Sequence, residues 1–194
     1  VKYAPHLPYV LKDLSFRILP RMKVGIVGRT GSGKSTLTQV LYRFINPDVG
    51  QVLIDGLDIT KISLDRLRQS LAIIPQDPVF LLGSLRSNLD RENKFDDAAI
   101  ETALRKVSMW KEINQLPGGI NTMISENGWN FSQGQRQLLC LARAMLNNSK
   151  ILFIDEATAS VDVRTDQEIQ SIVKKYFNNS TVLIIAHRFS TLDN

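Results

Sequence analysis

The 194-residue sequence predicts an α/β fold with a mostly parallel sheet. Short apolar runs, which are typical of buried strands, alternate with stretches whose apolar residues recur at helical spacing. The run Ile-Leu-Phe-Ile at 151–154 is continuous, as expected of a central parallel strand buried on both faces. A glycine-rich stretch at 28–36 separates the apolar run 24–27 from a helical pattern, so that a strand, a loop and a helix follow one another.

The glycine-rich stretch contains the full pattern G-x-x-x-x-G-K-[ST] of a phosphate-binding loop. Glycines let the backbone curl so that its N–H groups face a phosphate, and the following helix adds its positive end. Lys34 is expected to reach the β- and γ-phosphates, and the Ser35 hydroxyl to ligate Mg²⁺. A glycine turn with a chance lysine is the alternative, and the agreement of motif and context argues against it. The candidate nucleotide-binding residues are Gly28, Arg29, Thr30, Gly31, Ser32, Gly33, Lys34, Ser35 and Thr36.

The composition excludes several classes of protein. The net charge of +5 is modest and the longest basic run is Lys174-Lys175, which argues against a nucleic-acid partner. The single cysteine, Cys140, cannot form an internal disulfide and fits a reducing compartment. The longest apolar runs fall far short of the ~20 residues that span a bilayer. Both ends of the chain look cut, so we expect a domain of a longer protein.

The amino-terminal part predicts mainly strands. Residues 9–27 are expected to form two strands joined by a turn, which indicates an antiparallel β subdomain. A short strand closed by glycine is expected at 50–56, and one or two helical turns around 64–71. A buried strand at 72–75 then ends at Gln76.

The middle of the chain, from about 84 to 149, is predicted to be helical. One helix starts at Asp96-Asp97 and a second at Ser132. After the apolar strand come a helix at 162–177 and a strand at 181–186, which ends before His187. We therefore expect one domain over 1–194, with a core at 1–83 and 150–194 and an inserted helical subdomain at about 84–149.

Two carboxylates, Asp155 and Glu156, follow the central apolar strand. Open α/β sheets bind their ligands at the carboxyl ends of their strands. Asp155 is expected to hold Mg²⁺, directly or through water, and Glu156 to orient or activate an attacking water. The alternative, that both residues only cap the next helix, is weakened by the phosphate-binding loop elsewhere in the chain.

The helix that begins near Ser132 has an unusual first turn. Ser132 and Gln135 have the spacing of a capping box, which alone would explain them. Gly134 is harder to explain, because a glycine costs a helix ~1 kcal/mol. A close approach to another group would account for this glycine, and a helix end carrying serine and glycine also suits a phosphate.

Together these motifs resemble the nucleotide-binding domain of ATP-binding cassette (ABC) transporters, over nearly the whole chain. Residues 23–31 and 134–144 resemble the C-type, multidrug-resistance-associated-protein branch, and most closely its second nucleotide-binding domain. The residues that carry the resemblance are the loop 28–36, Gln76 in Ile-Pro-Gln-Asp-Pro, the signature segment Phe-Ser-Gln-Gly-Gln at 131–135, Ile-Leu-Phe-Ile-Asp-Glu at 151–156, Ala-Ser-Val-Asp at 159–162, and His187.

The resemblance implies a head-to-tail dimer with a second nucleotide-binding domain, in which two ATP molecules lie between the subunits. Ser132, Gly134 and Gln135 would then act in trans, on the nucleotide bound by the partner. The domain would lie at the cytoplasmic face of a membrane, attached to the transmembrane domains of the same transporter. Its hydrolysis of ATP would drive transport, and the C-type resemblance suggests export.

The resemblance also assigns roles to single residues. Gln76 would contact Mg²⁺ or water and link to the transmembrane domains, and His187 would contact the γ-phosphate and hold Glu156. Tyr3 would stack on adenine, Glu126 would face the transmembrane domains, and Asp162 would communicate across the dimer. The implied catalytic residues are Lys34, Gln76, Glu156 and His187, and the implied metal ligands are Ser35, Gln76 and Asp155.

The signature segment departs from the usual Leu-Ser-Gly-Gly-Gln at two positions. Phe131 replaces the leucine and Gln133 replaces the first glycine. A side chain at 133 could crowd the approach to the partner's γ-phosphate. Since C-type transporters pair a hydrolytic site with a weak one, we hypothesise that this chain's own loop belongs to the hydrolytic site and its signature segment to the weak one.

Three other functions are alternatives to ATP-driven transport. A GTPase is suggested by Asn-Lys-Phe-Asp at 93–96, but this pattern precedes Asp155, whereas in a GTPase it follows the metal-binding carboxylate. A non-transport ABC ATPase of DNA repair or chromosome maintenance would carry a long coiled coil or zinc modules between its motifs. The sequence between Lys34 and Asp155 has no heptad run, and its single cysteine cannot build a zinc site. A regulatory ATP-binding module without hydrolysis is opposed by Glu156 and His187.

Overall fold

A computed structural model describes residues 1–125, 128, 130–155 and 162–186. In chain order its elements are β1 (Lys23–Val27), α1 (Lys34–Leu41), β2 (Leu53–Ile54), β3 (Leu57–Asp58), α2 (Leu64–Ser70), β4 (Leu71–Ile74), β5 (Gly83–Ser84), α3 (Leu85–Leu89), α4 (Asp97–Lys106), α5 (Trp110–Gln115), β6 (Met123–Ile124), α6 (Gln133–Leu146), β7 (Ile151–Asp155), α7 (Val163–Tyr176) and β8 (Thr181–Ala186).

The central sheet contains four parallel strands in the order β1-β8-β7-β4. Val27 pairs with Ala186 at one side of the sheet, and Ile74 pairs with Ile154 at the other. All four strands therefore end at the same edge. The predicted α/β fold with a parallel sheet is confirmed, and the run 151–154 is an interior strand, as its apolar sequence indicated.

The antiparallel element on the amino-terminal side differs from the expected one. It is the hairpin β2-β3, whose turn residues Asp55 and Gly56 have φ of 51° and 78°. An Asp-Gly pair favours such a turn, so the single strand expected at 50–56 is a hairpin instead. The strand expected within 9–18 is absent, and Phe16 is 56% exposed. An apolar alternation forms a strand only beside a partner strand, and the described residues provide none there.

The helical middle of the chain packs directly on the sheet. Helices α4 and α6 are in contact, and one apolar core joins the buried faces of these helices to one face of the sheet, where Leu152 and Val182 lie. A second, smaller core covers the opposite face around Phe153 and Leu183. These two cores bury both faces of the sheet at β4, β7 and β8, whereas β1 is partly exposed. The proposed division at residues 83 and 150 stays a prediction.

The start of α4 is explained by the residue that precedes it. Asp96 accepts a hydrogen bond from the backbone N–H of Ala99 at 2.8 Å and so caps α4, as the sequence predicted.

The pair β5-β6 was not predicted, because its strands have only two residues each. No helix within the described ranges is both long and apolar enough to cross a bilayer.

Candidate nucleotide-binding site

Predicted site residues from three separate parts of the chain lie at the carboxyl edge of the central sheet. Gly28 directly follows β1, Gln76 follows β4 by two residues, and Asp155 is the last residue of β7. Because parallel strands end together, these segments share one edge, where open α/β sheets bind their ligands. Four further predictions, on Glu126, Glu156, His187 and the segment 159–161, lie outside the described residues.

The loop before α1 has the backbone geometry that its glycines allow. Gly31 and Gly33 have φ of 80° and 96°, which side chains disfavour. Space is also limited, because a Cβ on Gly33 would lie 2.9 Å from Cδ2 of Leu11. Gly33 caps α1 without a side chain, so the first N–H groups of the helix receive no side-chain acceptor. Such a helix end attracts an anion.

Lys34 places a positive charge inside the same loop. The residue is only 9% exposed, and Nζ donates hydrogen bonds to the carbonyl oxygens of Gly28 at 2.7 Å and Arg29 at 3.1 Å. The loop thus wraps the ammonium group beside the amino-terminal end of α1. An ammonium and a helix amino terminus at one place form an electropositive site suited to phosphate.

Tyr3 lies beside the first turn of α1. Its hydroxyl is 2.9 Å from Oγ1 of Thr36, and 51% of the residue remains exposed. The hydroxyl contact holds the phenol end, and the aromatic ring stays available on the surface next to the loop.

The residues predicted to bind Mg²⁺ have suitable chemistry. A hydroxyl from Ser35, an amide oxygen from Gln76 and a carboxylate from Asp155 are hard oxygen donors of the kind that Mg²⁺ prefers. Ser35 and Gln76 are exposed and Asp155 is partly buried. Within the described ranges no three His, Cys, Asp or Glu residues form a metal cluster.

The start of α6 has the predicted capping box. Ser132 Oγ accepts a hydrogen bond from the backbone N–H of Gln135, and the side-chain oxygen of Gln135 accepts one from the N–H of Ser132 at 2.7 Å. The amide nitrogen of Gln135 also donates to Glu112 on α5 at 2.6 Å. Phe131 is buried in the core, so an apolar side chain at this position has a packing role.

Gly134 is explained by a close approach within the chain. A Cβ at this position would lie 2.6 Å from Cγ2 of Thr165 on α7. Thr165 is itself held, because its N–H and hydroxyl donate to the carboxylate of Asp162 at 3.0 and 2.8 Å. These two hydrogen bonds lower the pKa of Asp162. The sequence indicated the close approach at Gly134 but not its partner.

Gln133 makes a contact with a remote segment of the chain, at Gln76. Its amide nitrogen donates to the backbone carbonyl oxygen of Gln76 at 2.9 Å, and the amide nitrogen of Gln137 approaches the same oxygen at 3.4 Å. Gln133 and Gln76 are far apart in sequence, and no pattern in the chain indicates that they meet. In this conformation the side chain at 133 lies against its own chain.

The pattern at 93–96 has a local structural explanation. Asn93 has a φ of 50°, and its side-chain oxygen accepts a hydrogen bond from Arg86 at 3.1 Å. The backbone N–H groups of Lys94 and Phe95 donate to the carboxylate of Asp90, and Asp96 caps α4. These residues build the turn between α3 and α4, as expected of a helix start.

The fold and the loop at 28–36 define a nucleotide-binding domain of the phosphate-loop class. The profile of the family described as ABC transporter matches residues 11–159. A solved structure titled as a bacterial Atm1-family ABC exporter with ATP bound has a TM-score of 0.91 to this chain and 35% identity, and covers 100% of this chain. This chain covers 34% of that one.

Curated relatives give the same result. The chain is 50% identical to ATP-binding cassette sub-family C member 10 of Mus musculus over 192 residues, and 48% identical to the Pleiotropic ABC efflux transporter of multiple drugs YBT1 of Candida glabrata over 209 residues. Each match covers 99% of this chain but 13% of the relative. The chain belongs to the ABC transporter family and is similar to C-family members. It is an ATP-binding domain of the ATPase type.

Proposed function

We propose that this chain is the motor domain of a membrane exporter and that it hydrolyses ATP as part of a head-to-tail dimer. The observation that carries the proposal is the position of Lys34, whose ammonium lies within the loop at the start of α1. A lysine held in this way supplies positive charge to the phosphates of a bound nucleoside triphosphate. The family relationship identifies that nucleotide as ATP.

Each part of the loop contributes to binding the triphosphate. The backbone N–H groups of 28–36 bind the phosphates, and Lys34 exchanges its carbonyl partners for β- and γ-phosphate oxygens. Tyr3 offers its exposed ring to the adenine, while its hydroxyl bond to Thr36 keeps the ring beside the loop. Ser35, Gln76 and Asp155 would hold Mg²⁺, which would neutralise charge on the phosphates when bound.

Hydrolysis requires groups from both halves of the dimer. Glu156 orients the attacking water, and His187 holds the γ-phosphate and Glu156 in place. The amino-terminal end of α6, with Ser132, Gly134 and Gln135, completes the site of the partner domain. The capping box occupies the N–H groups of Ser132 and Gln135, and Glu112 accepts from the amide of Gln135, so these groups would exchange these partners for the phosphate of the partner's nucleotide. Release of phosphate then loosens the dimer.

An apolar surface close to Gln76 in the chain is the proposed contact with the transmembrane domains. Val79, Leu81 and Leu82 follow Gln76, and they are 64%, 54% and 76% exposed. Met123, 67% exposed, lies in β6, which pairs with the strand that begins directly after Leu82. Exposed apolar side chains so close together suit a protein contact. This surface would contact the transmembrane domains at the cytoplasmic face of the membrane. A movement of Gln76 would be transmitted through it to the membrane-spanning part of the transporter.

The resemblance of residues 23–31 and 134–144 to the second nucleotide-binding domain of C-type transporters supports that domain as the origin of this chain. Its loop, Asp155 and Glu156 would form the hydrolytic site of an unequal pair. Its signature segment, with Phe131 and Gln133, would complete the weaker site of the partner.

The assignment of Glu156 is tested by the Glu156→Gln variant of the full-length protein. A side chain that orients water predicts a loss of turnover of about 10²–10⁴-fold. ATP binding, measured with a fluorescent nucleotide, should be retained because Glu156 does not hold the phosphates. Unchanged hydrolysis would overturn the assignment, and specific binding to DNA at low salt would favour the non-transport alternative.

A further inference from the structure

One face of α6 holds the backbone of Gln76. Gln133 and Gln137 are one helical turn apart, so their side chains lie on the same face. Both direct an amide nitrogen at the carbonyl oxygen of Gln76, at 2.9 and 3.4 Å. Gln137 is fully buried, whereas Gln133 is partly exposed at the end of the helix.

The bond spans two functional segments of the chain. Gln76 follows β4, whose register to β7 is fixed by the pairing of Ile74 with Ile154. Gln133 is the first residue of α6, next to the capping residue Ser132. A donor at position 133 therefore connects the segment proposed to bind Mg²⁺ in this chain's own site to the helix end proposed to serve the partner's site.

We propose that Gln133 is a positioning residue, which fixes the backbone of Gln76 and thereby sets the affinity of this chain's own site for Mg²⁺. The inference rests on the proposed function of Gln76. The glutamine that stands in place of the usual glycine of the signature segment thus acts on the chain's own site, in addition to any effect on the partner's nucleotide.

The experiment uses the full-length protein in lipid nanodiscs, with Gln133→Glu, Gln133→Ala and Gln133→Lys. Glutamate has the size of glutamine but places an oxygen against the carbonyl of Gln76, and alanine removes the donor. Lysine keeps a donor on a long chain and should rescue the contact. Gln115→Glu, at the exposed end of α5, is the matched control for the change of charge.

Two measurements are made on each variant. The first is the dependence of ATP hydrolysis on the free Mg²⁺ concentration, measured at saturating ATP. In Gln133→Glu and Gln133→Ala the half-saturating Mg²⁺ concentration should rise about 2- to 10-fold, the range expected from the loss of one hydrogen bond. The second is hydrogen exchange of the backbone at 75–82 without nucleotide, which should become faster in the same two variants and not in Gln133→Lys or Gln115→Glu.

The outcomes separate this inference from the proposed function. If Gln133→Glu and Gln133→Ala leave both measurements unchanged while Glu156→Gln abolishes turnover, the positioning role is wrong and the proposed function stands. If Glu156→Gln has no effect, the proposed function fails, and hydrogen exchange still reports whether Gln133 holds Gln76. A higher turnover in Gln133→Ala with an unchanged Mg²⁺ dependence would show that crowding of the partner's phosphate is the effect of Gln133, and would also overturn the positioning role.

Discussion

Thr165 occupies the space that a side chain at Gly134 would need. A Cβ on Gly134 would lie 2.6 Å from Cγ2 of Thr165, and the bonds from Thr165 to Asp162 keep that methyl group in place. The glycine at the start of α6 thus has a packing role within the chain, whatever it contributes to a partner's nucleotide. Stability and function at this position can be separated by mutation.

Gly134→Ala should destabilise the protein by about 1–3 kcal/mol, because it overpacks the contact between α6 and α7. Thr165→Ser removes the obstructing methyl group and keeps the hydroxyl bond to Asp162, so the double variant should regain most of the lost stability. Thermal unfolding of the two single variants and the double variant measures this. No rescue by Thr165→Ser would contradict the packing explanation. ATP hydrolysis that stays low after stability is restored would indicate an additional functional role.

Lys34→Met should weaken ATP binding without a large change of side-chain volume. The lost interaction is a charge-assisted hydrogen bond, worth about 1.5–3 kcal/mol, which corresponds to roughly 10- to 150-fold in affinity. Isothermal titration with ATP and with ADP measures the effect. Lys111→Met, at an exposed position on α5, is the control for loss of one positive charge. If Lys34→Met and Lys111→Met bind ATP with equal affinity, the proposed contact of Lys34 with the phosphates is wrong.

Tyr3→Ala should weaken ATP binding by loss of stacking, which is worth about 1–3 kcal/mol per base. Tyr3→Phe keeps the ring and removes the hydroxyl contact with Thr36 that positions it, so it should lose only part of the affinity that Tyr3→Ala loses. Tripolyphosphate has no base, and its affinity should be the same in all three proteins. A loss of tripolyphosphate binding in Tyr3→Ala would mean that Tyr3 acts on the loop and not on adenine.

Cys140 should react slowly with iodoacetamide in the folded protein, because its side chain is buried on α6 and burial raises the pKa of the thiol. Since the chain has one cysteine, mass spectrometry after labelling reports this site alone. The raised pKa also predicts that the free energy of unfolding falls as the pH rises above 9.0, the ordinary value of the thiol, because only the unfolded chain then ionises readily. Cys140→Ala should lack this part of the pH dependence. Labelling as fast as that of the unfolded chain would contradict the burial.

Much of the fold was predictable because it depends on short stretches of sequence. The apolar run 151–154 predicts an interior strand, and the spacing of Ser132 and Gln135 predicts the capping box found at the start of α6. The strand expected within 9–18 was wrong, because an alternating pattern does not specify a partner strand. The hairpin β2-β3 was missed although its Asp-Gly turn was visible in the sequence.

The phosphate-binding loop is the part of the site that the sequence determined by itself. Its backbone conformation follows from the order of glycines between a strand and a helix, and Lys34 reaches the carbonyl oxygens of its own loop. The tertiary structure alone decided that Gln133 meets Gln76 and that Thr165 lies over Gly134. The physical reason is distance along the chain. Local geometry sets contacts within a few residues, whereas contacts between remote segments depend on how the strands pair and how α6 packs against the sheet and against α7.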